Sequence, residues 1–261
     1  NMDFQFDKYQ GAGNDFIILD DRTQKFPSDD HDRIKWLCNR NFGIGADGLI
    51  LIRDSEKTDF KMVYFNANGY EGSLCGNGSR CAVAFCRAKD IVGLKTTFEA
   101  SDGLHKAVVD QEGLVCLEMN DVALITNNGD SLFIDTGSPH HLEFVSDVLA
   151  VNVKTKGAEI RYGAPYFEAG SNVNFIEKTN EEDFKIRTYE RGVEDETLAC
   201  GTGAIAAAIG AHSSGHTKLN GINIHALGGV LRVEFSTNSD QYENVKLIGP
   251  AVQVFSGTIR V

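Results

Sequence analysis

Apolar and polar residues alternate along most of this chain in short runs, the period of a strand with one face buried. Such runs fall at 4–9, 16–20, 49–53, 61–66, 96–100, 105–110 and 114–119. They resume at 132–135, 141–145, 159–162, 173–177, 184–189, 230–236, 245–248 and 253–261. Gly, Asn and Asp separate them, and the 27 Gly supply the turns that so many strands need. Helical periodicity is scarce. One helix is expected from Ser28 through Ile34, Trp36 and Leu37, stopping before Gly43. Two further segments, Ala82-Val83-Ala84-Phe85-Cys86 and Ala204-Ile205-Ala206-Ala207-Ala208-Ile209, are apolar on every side. A helix without a polar face has to be buried all round. With several strands per helix, this predicts an α/β (α+β) fold: a curved, mostly antiparallel sheet wrapped around one central helix, made twice.

A weak internal repeat supports the doubling. Cys75-Gly76-Asn77-Gly78 precedes the first buried helix and Cys200-Gly201-Thr202-Gly203 the second, with the cysteines 125 residues apart. Tyr64 and Tyr189, each a strand and a turn upstream, are also 125 apart, and Gly13-Asn14 and Gly137-Ser138 are 124 apart. Two homologous halves follow, joined near 121–130, where Asn127-Asn128-Gly129-Asp130 marks a turn. The expected domains are 1–122 and 123–249, with a last strand at 250–261 returning to the first.

Composition narrows the class. The formal net charge of −12 disfavours nucleic acid and anionic membranes as partners. No apolar run approaches the roughly 18 residues of a membrane span. Six cysteines without a secretory leader read as reduced thiols in the cytoplasm, most of them buried as small hydrophobes.

Cys75 and Cys200 stand apart from that default. Each directly precedes a Gly-x-Gly turn that opens a buried helix. The partial positive charge of a helix N-terminus stabilises a thiolate and also holds a carboxylate. If the halves face each other, the two thiols meet across an interdomain cleft. Two acid/base groups on opposite faces of one carbon are what stereoinversion requires: one removes the α-proton as thiolate, the other delivers a proton as thiol. The amides at Gly76-Asn77 and Gly201-Thr202 would take the charge that flows into the substrate carboxylate. One proton shared between the thiols makes their titration coupled.

These residues resemble the diaminopimelate epimerases. The matching segments are Gly11-Ala12-Gly13-Asn14-Asp15-Phe16, Gly43-Ile44-Gly45-Ala46-Asp47-Gly48, Phe65-Asn66-Ala67-Asn68-Gly69 and Cys75 through Cys81. Gly137-Ser138-Pro139-His140, Ser171-Asn172-Val173 and Tyr189 through Gly203 continue the match. The resemblance implies two pseudo-symmetric domains and a cofactor-independent isomerase of lysine and cell-wall biosynthesis, acting on LL- and meso-diaminopimelate as a homodimer. It implies Cys75 and Cys200 as the bases, with His140 and Glu190 setting their protonation. Asn14, Asn66, Asn172, Glu190 and Arg191 would bind the substrate, and Gly76, Asn77, Gly201 and Thr202 its reacting carboxylate. Two positions depart from the family pattern: Ser138 where Asn is frequent, and Gly48 where some members have Gln.

Other signals are weaker. Gly43 to Gly48 spells a dinucleotide-type Gly-x-Gly-x-x-Gly, but it follows a helix and leads into a strand, the reverse of that motif's setting. Cys75, Cys81 and Cys86 lack metal-ligand spacing, so no metal is expected. Two rival readings remain. Proline and hydroxyproline racemases usually carry Cys-Gly-His, where this chain has Cys75-Gly76-Asn77. A non-catalytic binding protein would be expected to have lost one of the cysteines.

Overall fold

The alternating runs fold as strands in a computed structural model that describes residues 2–72 and 75–260. Along the chain come β1 (Asp3–Gly11), β2 (Asn14–Asp20), α1 (His31–Cys38), β3 (Gly48–Arg53), β4 (Phe60–Asn66) and α2 (Gly76–Ala88). Then follow β5 (Lys95–Ala100), β6 (Gly103–Val109), β7 (Val115–Glu118), β8 (Ile125–Asn127), β9 (Leu132–Asp135) and β10 (Pro139–Phe144). After them come α3 (Val153–Tyr162), β11 (Asn172–Lys178), β12 (Asp183–Glu190), β13 (Asp195–Thr197) and α4 (Gly201–Ser213). The described chain closes with β14 (Gly221–Ala226), β15 (Gly229–Asn238), β16 (Gln241–Gly249) and β17 (Val252–Arg260). Two units emerge: Asn1–Leu117 with Gly249–Val261, and Glu118–Ile248.

In the first unit the strand order is β17-β1-β2-β3-β4-β5-β6-β7. Neighbours are antiparallel except β2/β3 and β4/β5, which are parallel. In the second unit the order is β8-β9-β10-β11-β12-β14-β15-β16, with β13 added against the end of β12. Its parallel pairs are β10/β11 and β12/β14. The order and the parallel steps are the same in both. So is the register: Ile18 faces Ile50, which faces Tyr64, and Leu142 faces Asn174, which faces Thr188. Each of these three pairs of equivalent positions is 124 apart. The expected doubling of one sheet-and-helix design is met, but the sheet offset is 124, so Tyr64 corresponds to Thr188 and not to Tyr189 as its sequence spacing suggested.

Each parallel step needs a crossover, and a helix provides it. α2 crosses between β4 and β5, and α4 between β13 and β14. α4 is buried from Gly203 through Ala211, as its all-round apolar sequence demands. Burying one Ile or Leu side chain is worth about 1.5–3 kcal/mol, so Ile205 and Ile209 anchor this helix in its sheet. α2 departs from the apolar pattern in its first turns, where Asn77, Ser79 and Arg80 are buried with the hydrophobes.

Three expectations need correction. The run at 159–162 is not a strand but the end of α3, whose N-cap Asn152 accepts from the Thr155 amide at 3.2 Å. Val153 and Ile160 pack with the Val173, Phe175 and Tyr189 cluster on one helix face, and four alternating residues satisfy either period. The first helix is shorter than expected, running from His31 under an Asp30 cap that accepts from the Arg33 amide at 3.0 Å. Strands β8, β13 and β14 are additional to the expected set. β8 and β13 are only three residues long, too short for alternation to mark them, whereas Ile222-Asn223-Ile224-His225 of β14 does alternate, with both Ile buried, a signal that the expected set omits. The 43–48 glycine segment lies between α1 and β3, the helix-then-strand order expected from its sequence. Among the described residues, no helix is long and apolar enough to cross a membrane.

Ile209 is fully buried in α4. Ile209→Ala is expected to lower stability by about 2–5 kcal/mol through lost burial and a residual cavity. Urea unfolding checks this, and a loss too small to move the midpoint would mean that the sheet does not close tightly on the helix.

Candidate active site

Cys75 is the N-cap residue of α2 and Cys200 that of α4, both with extended backbone angles. The helices open in the same way: the Ser79 amide donates to the Cys75 carbonyl at 2.8 Å, and the Ala204 amide to the Cys200 carbonyl at 2.9 Å. Gly76-Asn77 and Gly201-Thr202 form the first turns, whose N–H groups point out along the helix axis. Both cysteines are partly exposed. Cys38 and Cys81, by contrast, are buried, and burial pushes their thiols up to about 12. Burial raises Cys86 as well. These three are the inert, packed thiols expected of most cysteines.

In the first unit the Cys75 thiol donates to Asn14 Oδ1 at 3.4 Å, and Asn77 Nδ2 donates to the same oxygen at 3.2 Å. Asn14 Nδ2 donates to Asp47 Oδ2 at 2.6 Å, which fixes the orientation of its amide. Asp47 and Asp15 share Arg40, and Lys8 reaches Asp15 at 2.8 Å. Burial alone would raise the Asp15 carboxyl, but Arg40 and Lys8 hold it well below the usual carboxylate range. Beneath lies Arg80, fully buried, donating to Asn77 Oδ1, the Gly76 carbonyl and the Pro250 carbonyl. Asn66 is not hydrogen-bonded to this cluster among the described contacts. It is exposed at the end of β4, where its backbone closes the turn to Gly69 and Tyr70. Gly48 is a steric necessity: a Cβ there would lie 2.4 Å from the Tyr64 ring and 2.6 Å from the Phe65 carbonyl.

In the second unit the Cys200 sulfur lies 3.5 Å from Thr202 Oγ1, and His140 Nε2 lies 3.0 Å from the same hydroxyl. His140 is fully buried, and burial, with a smaller contribution from the Arg191 charge, lowers its pKa to about 3. Its ring is therefore neutral at physiological pH. Asn172 Nδ2 donates to Ser138 Oγ and to the Pro139 carbonyl, both at 3.0 Å, and its Oδ1 accepts from the Arg191 amide at 2.8 Å. Ser138, one of the departures from the family pattern, thus keeps a side-chain hydrogen bond. Glu190 ends β12 and accepts from the Thr197 hydroxyl at 2.9 Å. Arg191 Nη1 donates to the Ala169 carbonyl at 2.9 Å.

Polar residues without an expected role support each candidate thiol: Asp47 and Arg80, which stand in matched segments, and Arg40 in the first unit, Asn174 and Thr188 in the second. A signal for Asn174 was present. Asn172 and Asn174 alternate within one strand and so share a face, and Asn is disfavoured in strands unless something binds it. Among the described residues, no cluster of three or more His, Cys, Asp or Glu is arranged to hold a metal ion.

Two pseudo-symmetric sheet-and-helix units place the protein in an α+β fold class with known representatives. A Bacillus anthracis phenazine biosynthesis protein of the PhzF family superposes with a TM-score of 0.79 at 14% identity, over 100% of both chains. A hydroxyproline epimerase from Agrobacterium vitis gives 0.65 at 15% identity, over 98% of this chain and 92% of that one. At such identities the likeness is one of fold. The sequence is more particular. The family model "Diaminopimelate epimerase" matches residues 6–125 and 132–254. The diaminopimelate epimerase of Flavobacterium psychrophilum is 49% identical over 97% of this chain and 98% of its own length. That of Aquifex aeolicus is 40% identical over 98% and 97%. The chain belongs to the diaminopimelate epimerase family.

The buried His140 makes a prediction about acid. In the unfolded chain it takes a proton near pH 6.5, whereas in the fold its pKa is about 3. The fold gains from His140 above pH 6.5, and that gain is lost as pH falls from 6.5 towards 3, by up to about 1.4 kcal/mol per unit. His140→Asn should flatten the stability profile between pH 6.5 and 5 relative to the parent in urea titrations. Parallel profiles for the two proteins would count against a neutral buried ring.

Proposed function

We propose that this chain is a cofactor-independent epimerase that interconverts LL- and meso-diaminopimelate by a two-thiol mechanism. The observation that carries the reading is a cysteine capping a buried helix at equivalent positions of both units, in a chain of this family. Inversion needs a base on one face of the α-carbon and an acid on the other, and the reading gives these roles to Cys75 and Cys200. The thiolate takes the α-proton and becomes a thiol, while the opposite thiol gives its proton to carbon and becomes the thiolate. Charge that develops on the substrate carboxylate is held by the amides of Gly76-Asn77 and Gly201-Thr202 at the helix N-termini. No group changes oxidation state, and the enzyme ends with its one proton on the other sulfur.

His140 and Glu190 set the protonation of the thiols in this reading, and Asn14, Asn66, Asn172, Glu190 and Arg191 hold the substrate. Two features support these roles. Asn14 and Asn77 are tied to Cys75 through one shared oxygen, and Asn172 braces the backbone at Arg191. Arg191 can grip a distal carboxylate through its guanidinium, and Glu190 can accept from a distal ammonium. A monocarboxylic ring substrate would leave both without a distal partner, which favours the diaminopimelate reading over a proline-type one. The reaction serves lysine and cell-wall precursor synthesis in the cytoplasm, and the working form is a homodimer.

Proton NMR of LL-diaminopimelate in D₂O with reduced enzyme tests the proposal. One α-proton should exchange as meso product forms, and Cys75→Ala and Cys200→Ala should each abolish epimerisation. Exchange of proline or hydroxyproline instead would move the chain to the racemase branch. Silence with all three substrates would defeat the enzymatic reading.

A further inference from the structure

The two units place different chemistry at the same positions beneath their cysteines. In the second unit, His140, Asn174 and Thr188 occupy three adjacent strands and are all buried. Their register equivalents in the first unit are Phe16, Ile50 and Tyr64. There Phe16 and Tyr64 meet edge to face with ring centroids 6.0 Å apart, and the helix residue Gly78 packs on Phe16 and Ile50. Two of the three places are thus apolar in the first unit, and the third carries only the phenol of Tyr64. Buried polar groups cost stability unless fully bonded, so a buried imidazole and amide where the first unit has Phe16 and Ile50 call for another reason.

The hydrogen bonds of this set run in one direction. Asn174 Nδ2 is 3.1 Å from the His141 backbone carbonyl and 3.1 Å from His140 Nδ1, and Asn174 Oδ1 accepts from the Thr188 hydroxyl at 2.9 Å. A carbonyl can only accept, so the amide nitrogen has to face it. Both hydrogens of that nitrogen are then spent, one on His141 and one on His140 Nδ1. A neutral ring that accepts at Nδ1 carries its proton at Nε2. The Nε2–H donates to Thr202 Oγ1, and the Thr202 hydroxyl proton is left to point at the Cys200 sulfur. Gly203 makes room for the arrangement, since a Cβ there would come within 2.7 Å of Asn174 Oδ1. Its counterpart Gly78 meets its nearest neighbours at 3.4 Å, an ordinary contact.

We infer that Asn174, held by Thr188, is a positioning residue that locks His140 in the Nε2–H tautomer, so that Thr202 donates its hydroxyl proton to Cys200 and favours that sulfur as thiolate. The inference rests on Cys200 being a working thiol, as proposed above. A hydrogen bond donated to a thiolate stabilises the charged form. The charge that acts on His140 from the end of β12 is Arg191, with Glu190 beside it in sequence. Neither is altered in the variants below.

Two measurements test this without any substrate, so their failure is separable from failure of the proposed reaction. In ¹⁵N-histidine-labelled protein, assigned by comparison with His140→Asn, the His140 ring should be a neutral Nε2–H tautomer from pH 8 to about pH 5. A Nδ1–H tautomer or an imidazolium in that range would overturn the inference. Second, alkylation of Cys200 by iodoacetamide, followed by peptide mass spectrometry, gives its thiolate fraction against pH. Asn174→Ile places in this unit the residue type that the first unit carries, and should raise the Cys200 midpoint by about one pH unit while Cys75 keeps its own. Thr188→Val, which frees Asn174 Oδ1, should raise it by a smaller amount. A native circular dichroism spectrum with an unmoved Cys200 midpoint in both variants would overturn the inference. If Asn174→Ile does not fold, Thr188→Val and the tautomer of the parent protein decide the matter.

Discussion

A helix without a polar face has nothing to give to water, and α4 is such a helix. Every other element answers to that constraint. α4 is buried from Gly203 through Ala211, so a sheet has to surround it. The sheet achieves this with eight strands in one continuous order, two parallel steps and a helical crossover at each. A buried helix keeps its directional ends. Its first turn carries N–H groups that the helix itself cannot satisfy, and the residue just before that turn is a cysteine in both units. The packing requirement and the placement of a thiol in a positive local field are thus two consequences of one arrangement.

Duplication kept the scaffold and changed the polar wiring. In the first unit Cys75 donates to an Asn14 oxygen that is itself oriented by Asp47, and Phe16, Ile50 and the ring of Tyr64 lie at positions of the sheet below. In the second, Cys200 meets a hydroxyl backed by a buried histidine, an asparagine and a second threonine. The buried Arg80 follows the same logic of full satisfaction. Burial lowers its pKa, yet its guanidinium is hydrogen-bonded to two carbonyls and an amide oxygen, as a buried polar group must be.

Much of the fold was legible because its signals are local. The all-round apolar segments near 82–86 and 204–209 marked the central helices, and the 125-residue offset of the cysteine motifs marked the repeat. The run at 159–162 was misread because four residues cannot separate a period of two from one of 3.6. Here the Asn152 cap, seven residues upstream, decided for the helix. The candidate site divided in the same way. Cys75, Cys200, Asn77 and Thr202 stand in motifs and were readable. Asn174 lies just outside a matched segment, and its meaning depends on His140 and Thr188 being brought beside it.

The sequence by itself determined the doubling, the two central helices, the cysteines that cap them and the family, because each of these is written in contiguous residues or in a constant spacing. Only the tertiary structure decided what each thiol touches. Hydrogen-bond polarity depends on which backbone carbonyl faces the Asn174 amide and which carboxylate faces Asn14, and those partners lie 33 residues away in each case. Strand register brings them together, and register is a property of the folded sheet.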